Sequence, residues 1–219
     1  MDRDIELVTI TRPKREYRNM TFEVRTDGDE PSFLVEGYAS TFEPYKLIEI
    51  DGEDYNERIM PDAFNDADLT DVVYRIDHEG KVYARSSAGT VKLDVDDHGL
   101  HQVTDLSRTR AAREHYEDIV AGNYPQMSFA FTVAEDHYDA ESRTRIIDRI
   151  AKVFDISAVS FPANPNTELY ARDYFNGVIE AEKAAEAERL RAEEERRSDL
   201  ARREELANRI KEVISNANG

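Results

Sequence analysis

The sequence predicts an α+β protein, mainly β, that ends in a long charged helix, and three observations carry that reading. Short runs rich in Val, Ile, Phe and Tyr, separated by turn residues, recur between Phe33 and Ser160. A single stretch with helical period, Arg110 to Ala121, interrupts them. From Asn176 to about Ser215 the chain changes to Ala, Glu, Arg, Leu and Lys, all strong helix formers. The resulting division is an N-terminal arm over residues 1–19, a β-rich domain over 20–172 and a charged helical tail over 173–219.

In chain order, Thr21 to Arg25 reads as an edge strand and Phe33 to Ala39 as a second strand. The segment Phe42 to Arg58 is polar and interrupted by glycine. It reads as a long loop, either the border of a binding site or a disordered excursion. Ile59-Met60-Pro61-Asp62-Ala63-Phe64 is a turn with apolar anchors on both sides. Val72 to Ile76 is a short strand that delivers Asp77-His78-Glu79-Gly80 into a turn. Gly89 to Val95 and Leu100 to Leu106 form two strands joined through Asp96-Asp97-His98-Gly99.

The helix over 110–121 places Ala112, Tyr116, Ile119 and Val120 on one face and stops at Gly122. Ser128 to Val133 is a strand, Glu135 to Ser142 a polar turn, and Thr144 to Ile150 and Lys152 to Ser160 two further strands. Pro162 and Pro165 end the sheet region, because neither donates to a strand ladder. The domain therefore holds six to eight strands and at least one long helix. In the tail, Glu193 with Arg197, Asp199 with Arg203 and Glu205 with Arg209 are favourable pairs four apart. Its apolar positions Leu190, Leu200, Leu206, Ile210 and Val213 sustain no heptad. The tail is either a solvated helix or one ordered by a partner, with Leu206, Ile210 and Val213 as the docking face.

Charge and composition exclude several classes. The formal charge is -18, and Asn176 onward carries 11 acidic and 9 basic side chains, so the excess lies on the first 175 residues. That argues against unaided nucleic-acid binding and favours basic protein partners. Cysteine is absent, which removes disulfides, thiolate nucleophiles and cysteine metal clusters. The start, Met1-Asp2-Arg3-Asp4, does not read as a signal peptide, and no run of about 18 apolar residues predicts a membrane span.

Three residues stand out chemically. Ser128 lies at the mouth of a strand anchored by Phe129, Phe131 and Val133, where a hydroxyl is held rigidly. His78 is carried into a glycine turn by an apolar strand. Asp155 sits inside an apolar strand, where an unpaired carboxylate costs several kcal/mol. It is either a buried acceptor for an imidazole N–H or an edge aspartate paired with a cation such as Arg149. His115, in the helix, and His137, in a polar turn, read as surface residues. His98 and His101 do not form an evident ligand pair, and no zinc-binding helix motif is present, so no metal site is expected.

These pieces occur in an order that resembles the prohead protease family of HK97-type tailed viruses, which is similar in fold to the herpesvirus assemblin proteases. The shared stretches are Val35 to Ser40, Ile59 to Phe64, Asp77-His78-Glu79, Gly99-Leu100, Gln126 to Phe131, Asp155 to Val159 and Pro162 to Pro165. The family commonly has Asn-His-Asp around its histidine, glycine where Gln126 stands and glutamate where Asp155 stands. The resemblance implies an assemblin-like, closed or partly closed β-barrel with flanking helices. It implies a serine endopeptidase with Ser128 as nucleophile, His78 as general base and Asp155 as orienting acid, and with no metal or organic cofactor. The implied substrates are the scaffolding segment of the major capsid protein and the protease itself, cut inside the assembling procapsid in the host cytoplasm. Self-association in the procapsid is implied as well. The alternatives are a weakly active or inactive assembly protein on the same fold, and an unrelated β-rich binding domain in which the three residues lie apart.

Overall fold

The computed structural model describes residues 15–217 apart from 21, 28–29 and 162–164, with side chains omitted for 19–31, 162–170, 207 and 210 onward. The N-terminal reading over 1–14, the proline step at 162–164 and the docking side chains Ile210 and Val213 lie outside the described residues. Eleven strands and two α-helices are described. They are β1 (Glu16–Met20), β2 (Phe22–Asp27), β3 (Glu30–Thr41), β4 (Tyr45–Ile50), β5 (Glu53–Ile59), β6 (Val73–Ile76), β7 (Glu79–Arg85), β8 (Val91–Val95), β9 (Gly99–Asp105), α1 (Arg110–Val120), β10 (Gln126–Asp139), β11 (Thr144–Val159) and α2 (Pro165–Ala217). The chain is thus α+β and mainly β, with a long C-terminal helix.

The strands form two sheets. A seven-stranded sheet runs β1-β10-β11-β5-β4, with β6 also on β11 and β7 on β6; a four-stranded sheet runs β2-β3-β9-β8. Among the described residues the hydrogen bonding forms two sheets that do not close, so the expected closed or partly closed barrel is not confirmed. Long β11 organises the larger sheet. Its first residues, Thr144 to Ile147, pair in parallel with β5, and Asp155 to Ala158 pair in parallel with β6. Register shifts against β10 between Ala130 and Phe131 and again from Thr132 to Asp136 bend the pair. Phe129 and Phe131, two apart on β10, both face the core, their rings stacked at 4.5 Å.

Several boundaries differ from the sequence reading. Residues 16–19, assigned to an arm, form β1 together with Met20 and pair with β10. The expected loop over 42–58 contains the β4–β5 hairpin, turned by Asp51 and Gly52, both at positive φ (54° and 84°). The polar turn expected over 135–142 belongs largely to β10, and the two strands expected over 144–160 are one. Gly99 is required sterically, since a Cβ there would stand 1.9 Å from the Ser40 carbonyl oxygen.

Charged residues are buried where β1 joins the sheet. Arg18 bonds both carboxylate oxygens of Glu57 and, at 2.7 Å, Glu16. Arg145 reaches Glu16 at 2.6 Å, Glu57 at 3.0 Å and Asp136 at 2.7 Å. Burial pushes the Glu57 carboxyl upward, but Arg18 and Arg145 outweigh it and hold the group below its usual range. Removing one partner from such a cluster leaves an uncompensated buried charge and costs about 3–5 kcal/mol.

Helix α1 is capped by Thr109, whose hydroxyl accepts the Ala112 N–H, and ends before Gly122 at φ 84°. Ala112, Tyr116 and Ile119 are buried as expected, whereas Val120 is exposed. His115, expected at the surface, is 2 % exposed and lies against the rings of Tyr74, Tyr83 and Tyr124. Neither of its ring nitrogens has a hydrogen-bond partner among the described residues, and burial lowers its pKa from 6.5 to about 4. The unfolded chain therefore binds a proton before the folded one does. Stability is intact above pH 6.5 and drains as pH falls toward 4. Urea titrations at both ends of this window should show the wild type losing about 2 kcal/mol more than His115→Phe. Equal losses would mean that His115 is solvated or paired in solution.

The chain divides into two compact units, Met1–Arg172 and Asp173–Gly219. In the second, Leu190, Leu200 and Leu206 are exposed, and Arg189–Glu186 and Arg197–Glu193 pair along the helix. Among the described residues no helix is long and apolar enough to cross a membrane.

Candidate active site

The seven-stranded sheet separates its residues by parity. Cross-strand partners share a face, as do residues two apart on one strand. Met127, Phe129, Ile156, Ala158 and Tyr74 accordingly point into the core. The opposite face carries Ser128 and Ala130 of β10, Asp155 and Ser157 of β11, Val73 and Arg75 of β6, and Tyr17 of β1. Ser128 lies directly across from Ser157, and Ala130 across from Asp155.

His78 reaches this face from the β6–β7 turn. Asp77 and His78 both have positive φ, 48° and 61°, a conformation that costs a non-glycine residue roughly 1–2 kcal/mol. Four contacts offset that strain. The Asp77 N–H donates to the Ala158 carbonyl at 3.0 Å, and the Asp77 carboxylate accepts the Ser160 N–H at 2.9 Å. The His78 N–H donates to Ser157 Oγ at 3.2 Å, and His78 Nδ1 lies 2.6 Å from Asp155 Oδ1. Ser157 Oγ also donates to the same Asp155 oxygen at 2.9 Å. One hydroxyl thus braces both the backbone of the histidine and the carboxylate beneath it.

Asp155 is 2 % exposed and central in the sheet, and Arg149 bonds Glu135 instead, so the edge-aspartate alternative does not hold. Because a carboxylate only accepts, the bond to Asp155 places the imidazole proton on Nδ1 and the lone pair on Nε2. That Nε2 is buried and makes no hydrogen bond among the described residues, and the same is true of Ser128 Oγ, which is 0 % exposed. The fold therefore joins His78 to Asp155 and sets Ser128 on the same sheet face, without a Ser128–His78 hydrogen bond.

Three neighbours were given no role by the sequence reading. Ser157 looked like part of an apolar strand. Tyr17 stacks edge-on to the His78 ring at 4.5 Å between centroids and 61° between planes. Arg75, three residues before His78, has a buried Nε without a hydrogen-bond partner. The two-residue period put Ser157 on the face of Asp155, and nothing in the sequence marked Arg75 or Tyr17. His137, by contrast, is exposed on β10 and bonds Asp148. His101 bonds Glu36 rather than pairing with His98. Among the described residues no group of three or more His, Asp or Glu side chains is placed to hold a metal ion.

An imidazole held by a buried carboxylate, on one sheet face with an unbonded serine, contains the components of a serine hydrolase site. The chain belongs to the caudovirus prohead serine protease family, whose model matches residues 20–177 and so includes His78, Ser128 and Asp155. No curated protein and no solved structure matches the chain.

Proposed function

We propose that this protein is the serine endopeptidase that trims the scaffolding segment of the major capsid protein, and itself, during procapsid maturation. The observation that carries the reading is the buried 2.6 Å His78–Asp155 bond on the face that bears Ser128, in a chain of this family. Family membership supports a capsid-maturation role and contact with the capsid protein inside the procapsid.

The chemistry follows from the placement of the protons. With Nδ1–H bound to Asp155, His78 Nε2 takes the Ser128 hydroxyl proton as Oγ bonds to the scissile carbonyl carbon. Asp155 and Ser157 stabilise the imidazolium that forms. The imidazolium then gives its proton to the leaving amine as the C–N bond breaks, and water releases the acyl group by the same route. Arg75 places a cation on this face, where negative charge develops on the substrate carbonyl. Because Ser128 is fully buried, substrate entry requires the site to open, and the Ser128–His78 contact forms with that movement. The charged tail acts as a scaffold-like segment that carries the enzyme into the shell.

The same burial, together with the missing Ser128–His78 bond, favours a second reading, an assembly protein without cleavage activity. Co-expression with the cognate capsid protein separates the two. Intact-protein mass spectrometry should show shortened capsid subunits in purified particles. Particles containing only full-length subunits would support the second reading.

A further inference from the structure

We propose that β1, which precedes the family-matched residues except for Met20, is part of the catalytic apparatus, and that Tyr17 is a positioning residue for His78. The inference rests on the assignment of His78 as general base. Its starting point is the rotation that one hydrogen bond leaves free. The bond from Nδ1 to Asp155 fixes one atom of the imidazole, but the ring can still turn about that bond, swinging Nε2 across the sheet face. The Tyr17 ring, edge-on at 4.5 Å, blocks that turn from the side. Two contacts at different edges of the ring fix the direction of Nε2.

The strand is built to hold Tyr17 there. Among the described residues β1 is an edge strand with β10 as its one neighbour in the sheet, so the ladder hydrogen bonds described secure it on one side. Its alternate residues divide the work. Glu16 and Arg18 turn to one face and enter the buried cluster with Glu57 and Arg145. Tyr17 turns to the other face, across from Ala130, whose small side chain leaves room for a ring beside His78. A slip of one residue would drive Tyr17 into the ion cluster and bring Glu16 or Arg18 to the histidine. The buried charges therefore specify the register that places Tyr17. This explains a cluster of charge that contributes little net stability compared with an apolar core.

The test uses the full-length protein and two readouts. One is cleavage of the capsid protein, analysed for kcat and KM separately. The other is the low-field proton resonance of His78 Nδ1–H, assigned by its disappearance in His78→Ala. Tyr17→Phe keeps the ring and should stay within about 3-fold of wild type with the resonance sharp. Tyr17→Ala should lose about 10²-fold in kcat with KM nearly unchanged, the scale of a small misplacement of a reacting group. Its resonance should broaden into exchange. Tyr17→Leu retains apolar volume, guards against a variant that fails to fold, and should likewise lose the sharp signal and most of kcat. A folded Tyr17→Leu with wild-type kcat and a sharp resonance would overturn the positioning role. Should the wild type cleave nothing, the protease reading fails, and the resonance still decides whether Tyr17 holds His78.

Discussion

Asp155→Asn should lower the rate of capsid-protein cleavage by about 10⁴-fold, the scale seen when a triad carboxylate is replaced by its amide. The substitution preserves shape but lets an N–H face His78 Nδ1, which favours the tautomer with its proton on Nε2, where a base needs a lone pair. It also disturbs Ser157, whose hydroxyl donates to the same carboxylate oxygen. The protein supplies its own control. His137 and Asp148 make the same 2.6 Å contact as His78 and Asp155, but at side-chain exposures of 57 % and 39 % rather than 7 % and 3 %. Asp148→Asn should leave single-turnover cleavage within about 2-fold of wild type, since exposed pairs contribute little. Equal rates for the two variants would reduce Asp155 to a structural carboxylate.

Ser128→Ala should abolish cleavage and leave capsid subunits at full length, while the variant is as stable as wild type or more so by about 1 kcal/mol. The second half of that expectation is unusual for a core substitution. It follows because the buried Ser128 hydroxyl has no hydrogen-bond partner, so its removal breaks no bond and relieves a desolvated polar atom. A residue whose loss removes activity and improves the fold is retained for chemistry. Thermal unfolding beside intact-mass measurement of the particles gives both numbers from one preparation. Marked destabilisation would show that the hydroxyl has a structural partner in solution.

How much of this was legible depended on whether a residue's role matched its local pattern. His78, Ser128 and Asp155 stood out in the sequence because each breaks its surroundings. Local pattern left Asp155 open between a buried acceptor and an edge aspartate, and the His78–Asp155 contact emerges only from the pairing of β6 with β11. The α1 face and the β8–β9 hairpin followed from ordinary periodicity. The β4–β5 hairpin was missed although Asp51-Gly52 is a strong turn signal, because Lys46, Glu49, Glu53, Asp54 and Glu57 made its flanks read as solvent. Glu16, Arg18 and Arg145 were missed for the same reason. A charge reads as exposed unless its partner is known, and the pairs that join Arg18 to Glu57 and Arg145 to Glu16 span 39 and 129 residues. His115 was misplaced because helical position says nothing about the three tyrosines that other elements pack around it. The assemblin-like barrel came from resemblance, and sheet closure is a property of long-range pairing that short strand patterns do not encode. Tyr17 depends on the register of an edge strand and was beyond any local signal.

A Ser128 activated by His78 would attack a phosphorus electrophile as it would a scissile carbonyl. Reaction of the full-length protein with a fluorophosphonate, followed by peptide mapping, measures this most directly. The expected result is one adduct per chain on Ser128, formed slowly because the site must open, and reduced at least 10²-fold in His78→Ala. An unmodified Ser128, or labelling at the same rate without His78, would contradict it.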